Sequence, residues 1–177
     1  MLKLKRLIVK ILYRVTRNPD LRIKLYHIEV CIFRRRGIDV GRNSLLLNCR
    51  FSSSSKGDRF FIGEDCTCTG VTFLGHDASP SLFIEELNNP IHPVLPGSRR
   101  SYRSPIRIGN RVFIGFNVTI LPGVSITDNC VIGAGSVVSK SIHVPGVYAG
   151  NPAKFVREID SYVDEYRQKF TESPEAF

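Results

Sequence analysis

Between Ile108 and His143 the chain repeats every six residues. Ile108, Ile114, Ile120, Ile126, Ile132 and Val138 recur without a slip, and Val112, Val118, Val124, Cys130, Ser136 and Ile142 hold the position four residues after each. An amphipathic helix spaces its apolar residues at about 3.6 on average, and a free strand alternates every two. A strict six fits neither and points to a repeat architecture in which each unit supplies one short strand and one corner. Three units then close a triangular turn of about eighteen residues, a parallel β-helix, with branched aliphatics stacked inward about 4.8 Å apart. A sandwich of short strands is the competing fold, but its variable strand and loop lengths would lose the register. Gly109, Gly115 and Gly133 follow their aliphatics, where a tight corner favours a residue that reaches φ > 0.

Upstream the period is weaker. Val40-Gly41 reads as a first unit, register is lost over residues 45–58, and the repeat resumes at Ile62-Gly63 with Cys68 and Leu74 six and twelve residues on. Residues 77–105 break the period with a polar, proline-marked insertion that includes Arg99, Arg100 and Arg103. Loops this long inside a compact fold usually carry function. Before Gly37, Leu4, Leu7, Ile8, Ile11, Leu12 and Val15 fall at helical spacing, with Lys3, Lys5, Arg6, Lys10, Arg14 and Arg17 on other faces. Asn18-Pro19-Asp20 then starts a second helix to about Arg35, with Leu25, Ile28, Ile32 and Phe33 as its apolar side. A last helix is expected from about Phe155 to Lys169, followed by a frayed tail. The expected organisation is a basic amphipathic helical cap (1–36), the coil with its inserted loop 77–105 (37–154), and a C-terminal helix and tail (155–177).

The net charge of +9 is confined to one end: residues 1–36 carry eleven Lys/Arg against Asp20 and Glu29, and the rest of the chain balances fourteen against fourteen. A nucleic-acid face would have to lie in those 36 residues, which hold no zinc-finger spacing or RNA-binding signature, so no nucleic-acid partner is expected. Two readings compete for the basic segment: a cap over the open strand edge of the coil, and peripheral contact with an anionic membrane. The five cysteines form no disulfide framework, and Cys66, Cys68 and Cys130 fall on inward positions, where a reduced thiol packs as a small apolar residue. No spacing of His and Cys suits a metal, and none is expected. No apolar run reaches the length of a membrane span, and Lys10 and Arg14 interrupt the stretch that could imitate a signal peptide. The expected location is cytoplasmic, with the inner face of the membrane as the place of any contact.

Ile108-Gly-Asn-Arg-Val-Phe-Ile-Gly-Phe-Asn-Val-Thr-Ile-Leu-Pro-Gly-Val124, Val131-Ile-Gly-Ala-Gly-Ser-Val-Val-Ser-Lys140 and Ala149-Gly-Asn-Pro-Ala-Lys154 resemble, in this order, the hexapeptide-repeat acyltransferases. Within them the chain is most similar to the galactoside, maltose and polysaccharide O-acetyltransferases, over about residues 38–158. The resemblance implies a mainly β fold, a left-handed parallel β-helix, working as a homotrimer with active sites between subunits and taking acetyl-CoA as co-substrate. Handedness comes from the resemblance alone, since parallel crossovers in general are right-handed. It also implies that the loop 77–105 reaches across a neighbour's active site.

Acetyl transfer from a thioester to a hydroxyl needs a base for the hydroxyl proton, a task suited to histidine. His76, in Gly75-His76-Asp77 where the repeat gives way to the loop, matches the family's catalytic histidine. Asp77 is a candidate to orient it, as is Glu85 or Glu86 from the loop. His92, also in the loop, and Asn48 are candidates for acceptor contact, whereas His27 and His143 read as structural or solvated. For acetyl-CoA the resemblance carries to Phe116 and Ala134 beside the pantetheine arm, Ser139 and Lys140 further along, and Lys154 and Arg157 toward the phosphates. The family has a small residue where this chain has Phe116, so the thioester end of the groove is expected to be shaped differently. The implied reaction is O-acetylation of a sugar hydroxyl in surface polysaccharide biosynthesis. N-acetylation of a nucleotide-linked amino sugar, acetylation of serine or an antibiotic, and a non-catalytic β-helix scaffold are the alternatives.

Overall fold

A computed structural model describes residues 2–54 and 56–177; the side chains of residues 2–6 and 10 lie outside the description, and with them the roles expected of Leu4, Lys3, Lys5, Arg6 and Lys10. Two helices come first. α1 spans Leu2–Val15 and α2 spans Pro19–Arg34. Asn18 caps α2 by accepting a hydrogen bond from Leu21 N, and Pro19 starts it where its missing N–H costs nothing.

The chain then visits three parallel sheets in rotation. Its first turn is β1 (Ile38–Val40), β2 (Leu45–Leu47) and β3 (Arg50–Ser52), and its second is β4 (Phe60–Ile62), β5 (Thr67–Thr69) and β6 (Thr72–Leu74). β7 (His76–Asp77) and β8 (Tyr102–Arg103) pair antiparallel at the root of an arm. The third turn is β9 (Ile106–Ile108), β10 (Phe113–Ile114) and β11 (Thr119–Ile120), and the fourth is β12 (Ser125–Ile126), β13 (Cys130–Ile132) and β14 (Val137–Val138). β15 (Gly146–Ala149) adds to the second sheet, and β16 (Lys154–Arg157) folds back antiparallel on it. The sheets are therefore β1-β4-β9-β12, β2-β5-β10-β13-β15-β16 and β3-β6-β11-β14. α3 (Ile159–Glu172) follows.

All twelve residues of the six-residue pattern are buried. Phe113 pairs with Val131 and Thr119 with Val137, so each regular turn takes the expected eighteen residues. The first two turns differ in one unit. Leu46 and Phe51 point inward five residues apart, as do Cys68 and Phe73, so the inward residue is Phe73 and not Leu74. That shortened corner is why the period is hard to follow over residues 45–58. Here Phe51, Phe60 and Phe73 fill the interior, with Phe51 and Phe73 stacked at 4.7 Å. Phe33 of α2 joins them, its ring 5.5 Å from Phe51, so the helix contributes to the core at the coil's first turn. Tyr26 holds α2 to the same turn, donating to Ser44 O at 2.5 Å and accepting from Leu46 N at 3.1 Å.

The corner glycines have a different reason from the expected one. Gly109, Gly115 and Gly133 are absent from the positive-φ residues, and the left-handed conformation falls two positions later, at Arg111, Asn117 and Gly135. It recurs in two columns: Asn43, Asp65, Arg111 and Asn129 between the first and second sheets, and Asn48, Gly70, Asn117 and Gly135 between the second and third. Asn and Asp tolerate that conformation better than other non-glycine residues. Gly41, Gly63 and Gly109 are glycine because turns stack backbone on backbone. A Cβ on Gly63 would lie 2.6 Å from Gly109 C, and one on Gly41 would lie 2.7 Å from Glu64 N. The C-terminal helix also starts later than expected. Phe155 lies in β16 opposite Tyr148, their rings edge to face at 5.5 Å, so helix begins only at Ile159.

Two predictions follow from this stacking and anchoring. Gly63→Ala forces neighbouring backbones apart and should cost on the order of 1–3 kcal/mol, read as a lowered denaturant midpoint at unchanged slope. Burial pushes the Tyr26 phenol up to about 12. Above about pH 10 an unfolded chain ionises this tyrosine while the folded one does not, so its contribution is whole below pH 10 and lost as pH rises toward 12. Tyr26→Phe should be less stable by about 1–2 kcal/mol at pH 7, with the gap to wild type narrowing between pH 10 and 12 in denaturant titrations.

Candidate functional site

A buried carboxylate with charged partners lies at the corner between the third and first sheets. Asp58 ends the irregular turn before β4, and its side chain is 0% exposed. A buried carboxylate needs partners. Its Oδ2 accepts a short hydrogen bond from Ser54 N and lies 3.2 Å from His76 Nδ1. Its Oδ1 faces Arg103 Nε at 3.4 Å as an ion pair. Both groups come from the root of the arm, where the β7–β8 pairing sets His76 opposite Arg103. Arg103 also donates to Ser101 O at 3.0 Å and reaches Ser54 Oγ at 3.5 Å. Gly75 makes room for this cluster: a Cβ there would lie 2.6 Å from Ser52 O and 2.8 Å from both the Asp58 Cβ and the Phe60 ring.

A carboxylate only accepts hydrogen bonds, so the contact fixes the proton of a neutral His76 on Nδ1 and leaves the Nε2 lone pair for a substrate. The ring is about a quarter exposed, enough to be reached from outside. The carboxylate on His76 is thus Asp58 and not Asp77. Asp77 turns away, accepting from Ser79 N and Ser79 Oγ, and those bonds hold its carboxyl below the usual range. Glu85 and Glu86 lie exposed in a short 3-10 turn, Glu85–Leu87, further along the arm. His92 is exposed in the arm too, accepting from Val94 N.

The remaining candidates divide between two corners. Phe116 and Ala134 stack one turn apart between the second and third sheets, where Gly135 N donates to Phe116 O and Ala134 N lies under Gly115. Phe116 is 67% exposed, its ring laid over Gly70, where a Cβ would meet it at 2.6 Å. Asn48 belongs to the same corner as one of its left-handed residues. Ser139 and Lys140 lie exposed just after β14, across the third sheet on the corner that carries His76. Lys154 opens β16, exposed, while Arg157 pairs with Glu165 through a short contact and lies 5.0 Å from the Tyr162 ring. Within this one chain His76 and the Phe116–Ala134 pair therefore occupy opposite long edges of one sheet. Asp58 and Arg103 escape a reading of the sequence because they are far along the chain from each other, and the shortened units hide the pairing that joins them. Among the described residues no three His, Cys, Asp or Glu side chains gather as a metal group.

Residues 105–140 match the family model described as the hexapeptide repeat of succinyl-transferase. Galactoside O-acetyltransferase of Escherichia coli (strain K12) is 43% identical over 88 residues, covering 50% of this chain and 43% of that protein. A galactoside acetyltransferase of solved structure, in complex with coenzyme A, is 29% identical, with TM-score 0.57, over 92% of this chain and 84% of the other. The polysialic acid O-acetyltransferase OatWY is 33% identical with TM-score 0.53, over 69% of this chain and 54% of that one. The chain spans about half the length of the first curated relatives it matches.

Removing the buried carboxylate should be visible without any substrate. Asp58→Ala leaves Arg103 without its counter-ion and Ser54 N without its acceptor and should cost about 3 kcal/mol in unfolding experiments. In the milder Asp58→Asn, nitrogen chemical shifts of the His76 ring should move from one Nδ1-protonated tautomer to a mixture.

Proposed function

We propose that this hexapeptide-repeat chain moves an acetyl group from acetyl-CoA to a sugar hydroxyl, with His76 as general base. The observation that carries the reading is the partly exposed His76 ring held through Nδ1 by buried Asp58, in a chain similar to sugar O-acetyltransferases along most of its length. His76 Nε2 takes the proton of the acceptor hydroxyl as its oxygen attacks the thioester carbonyl. The tetrahedral intermediate collapses, the C–S bond breaks, and the departing thiolate recovers the proton from the imidazolium. Asp58 stabilises that imidazolium and keeps the ring from turning. Phe116 and Ala134 would flank the pantetheine arm, with Ser139 and Lys140 further along and Lys154 toward the phosphates. Arg157, already paired with Glu165, would have to share its charge.

The same reading gives a left-handed coil assembled as a homotrimer. Its support is that His76 and the Phe116–Ala134 pair lie on opposite edges of one sheet, so a groove between neighbouring copies could join one copy's base to the next copy's arm site. The arm fits this too, with Leu82, Phe83, Ile84, Val94 and Leu95 exposed and in want of a covering surface. Asp77, Glu85, His92 and Asn48 would then meet acceptor only across that groove. The acceptor proposed is a surface polysaccharide or its precursor, modified on the cytoplasmic side at the inner face of the membrane.

Release of free CoA thiol from acetyl-CoA tests this across sugars, acidic glycans, amino sugars and serine. Turnover with a sugar class that falls about 10²–10⁴-fold in His76→Ala is expected. Unchanged turnover in that variant would sink the base assignment, and failure of the wild type to bind acetyl-CoA would sink the enzyme reading.

A further inference from the structure

The N-terminal helices do two different things. α2 is committed to the coil through Phe33 and Tyr26. α1 packs on α2 along one narrow line, with Val9 buried against Leu25 and Ile32, Tyr13 beside them, and Arg22 over the Tyr13 ring at 4.8 Å. That contact uses one side of α1. Leu7, Ile8, Ile11, Leu12 and Val15 are all exposed, Val15 by 75%. At 100° per residue these five fill a continuous arc of about 140°, next to the Val9–Tyr13 line and not on it. α1 thus has a second apolar face that no described residue covers.

Charge selects what covers it. Residues 1–36 carry eleven Lys/Arg and two acids, while the coil and its C-terminal extension are neutral. A second copy presenting the same segment would bring like charges together, and the neutral coil offers α1 no attraction. An anionic bilayer surface supplies both requirements, insertion for the aliphatics and countercharge for the basic residues. No described helix is long and apolar enough to cross a membrane, so the contact is peripheral. We infer that the outer face of α1, formed by Leu7, Ile8, Ile11, Leu12 and Val15, docks the protein on an anionic lipid surface with its axis along the membrane plane. This gives the inner-face location a definite contact surface, and it stands on α1 independently of acetyl transfer.

Co-sedimentation of the full chain with phosphatidylglycerol–phosphatidylcholine vesicles, against phosphatidylcholine alone, tests the inference. Binding several-fold stronger to the anionic vesicles is expected, weakened by 0.5 M salt as screening requires (roughly a 4–5 Å Debye length). Ile8→Asp/Leu12→Asp should lower it at least tenfold while leaving the melting temperature and CoA release on a soluble acceptor unchanged. Equal binding to both vesicle types, or undiminished binding of the double variant, would overturn the docking face. So would a wild type that ignores vesicles but loses mass in light scattering when the two aspartates are introduced, because a second copy would then be the cover. Turnover without vesicle binding would sink the docking alone, and vesicle binding without turnover would sink acetyl transfer alone.

Discussion

Stacking of one backbone turn directly on the next is the constraint from which the other features of the coil follow. Parallel pairing in three sheets hydrogen-bonds the backbone of each turn to the turn above or below, for example Gly63 N to Ile108 O and Gly109 N to Ile126 O. Such stacking leaves no room for a side chain where corners approach each other, which accounts for Gly41, Gly63 and Gly109. It leaves a narrow prism inside, which aliphatics, cysteines, Ser136 and, in the first two turns, Phe51, Phe60 and Phe73 fill. Ser136 is tolerated there because its hydroxyl donates to Gly133 O and accepts from Gly150 N. The columns of left-handed residues at two corners, Asn, Asp or Gly everywhere but Arg111, are the same constraint expressed in φ.

The third corner is where the constraint is relaxed. The first two corners recur with left-handed residues in each of four turns, whereas the third holds the irregular turn before Asp58 in one turn and the whole arm in the next. A site can form there because the backbone is not already committed to stacking. The buried charge at this corner is correspondingly shared, with one carboxylate serving a backbone N–H, a histidine and an arginine from three segments.

How much of this was legible depended on whether a residue's role repeats. Twelve inward positions from Ile108 to Ile142 could be read from their spacing because each turn imposes the same demand. Phe73 was misread as Leu74 because a corner one residue shorter shifts the register without leaving a mark in hydrophobicity. The glycines were located correctly but for the wrong cause, since close approach and positive φ select the same residue. His76 stands out as a candidate from its motif and its place at a break in the repeat. Asp58 does not, because its role depends on a contact between two segments that meet only after the strands pair. Asp77 was the attractive candidate by adjacency, yet in a strand neighbouring side chains point to opposite sides.

Asp58 also ties the arm to His76. Arg103 stands on the returning end of the arm, and its partner strand carries His76, so the β7–β8 pair presents both side chains to one carboxylate. An arm displaced at its root would withdraw Arg103 from Asp58 and disturb the strand that carries His76 in the same movement. In the proposed trimer the arm's exposed tip would rest on a neighbouring copy. Assembly and orientation of the base would then be coupled through Asp58, because the contacts that seat the tip also hold the root. The coupling needs no moving part beyond the antiparallel pair, and its strength is set by how costly it is to leave Asp58 buried without Arg103.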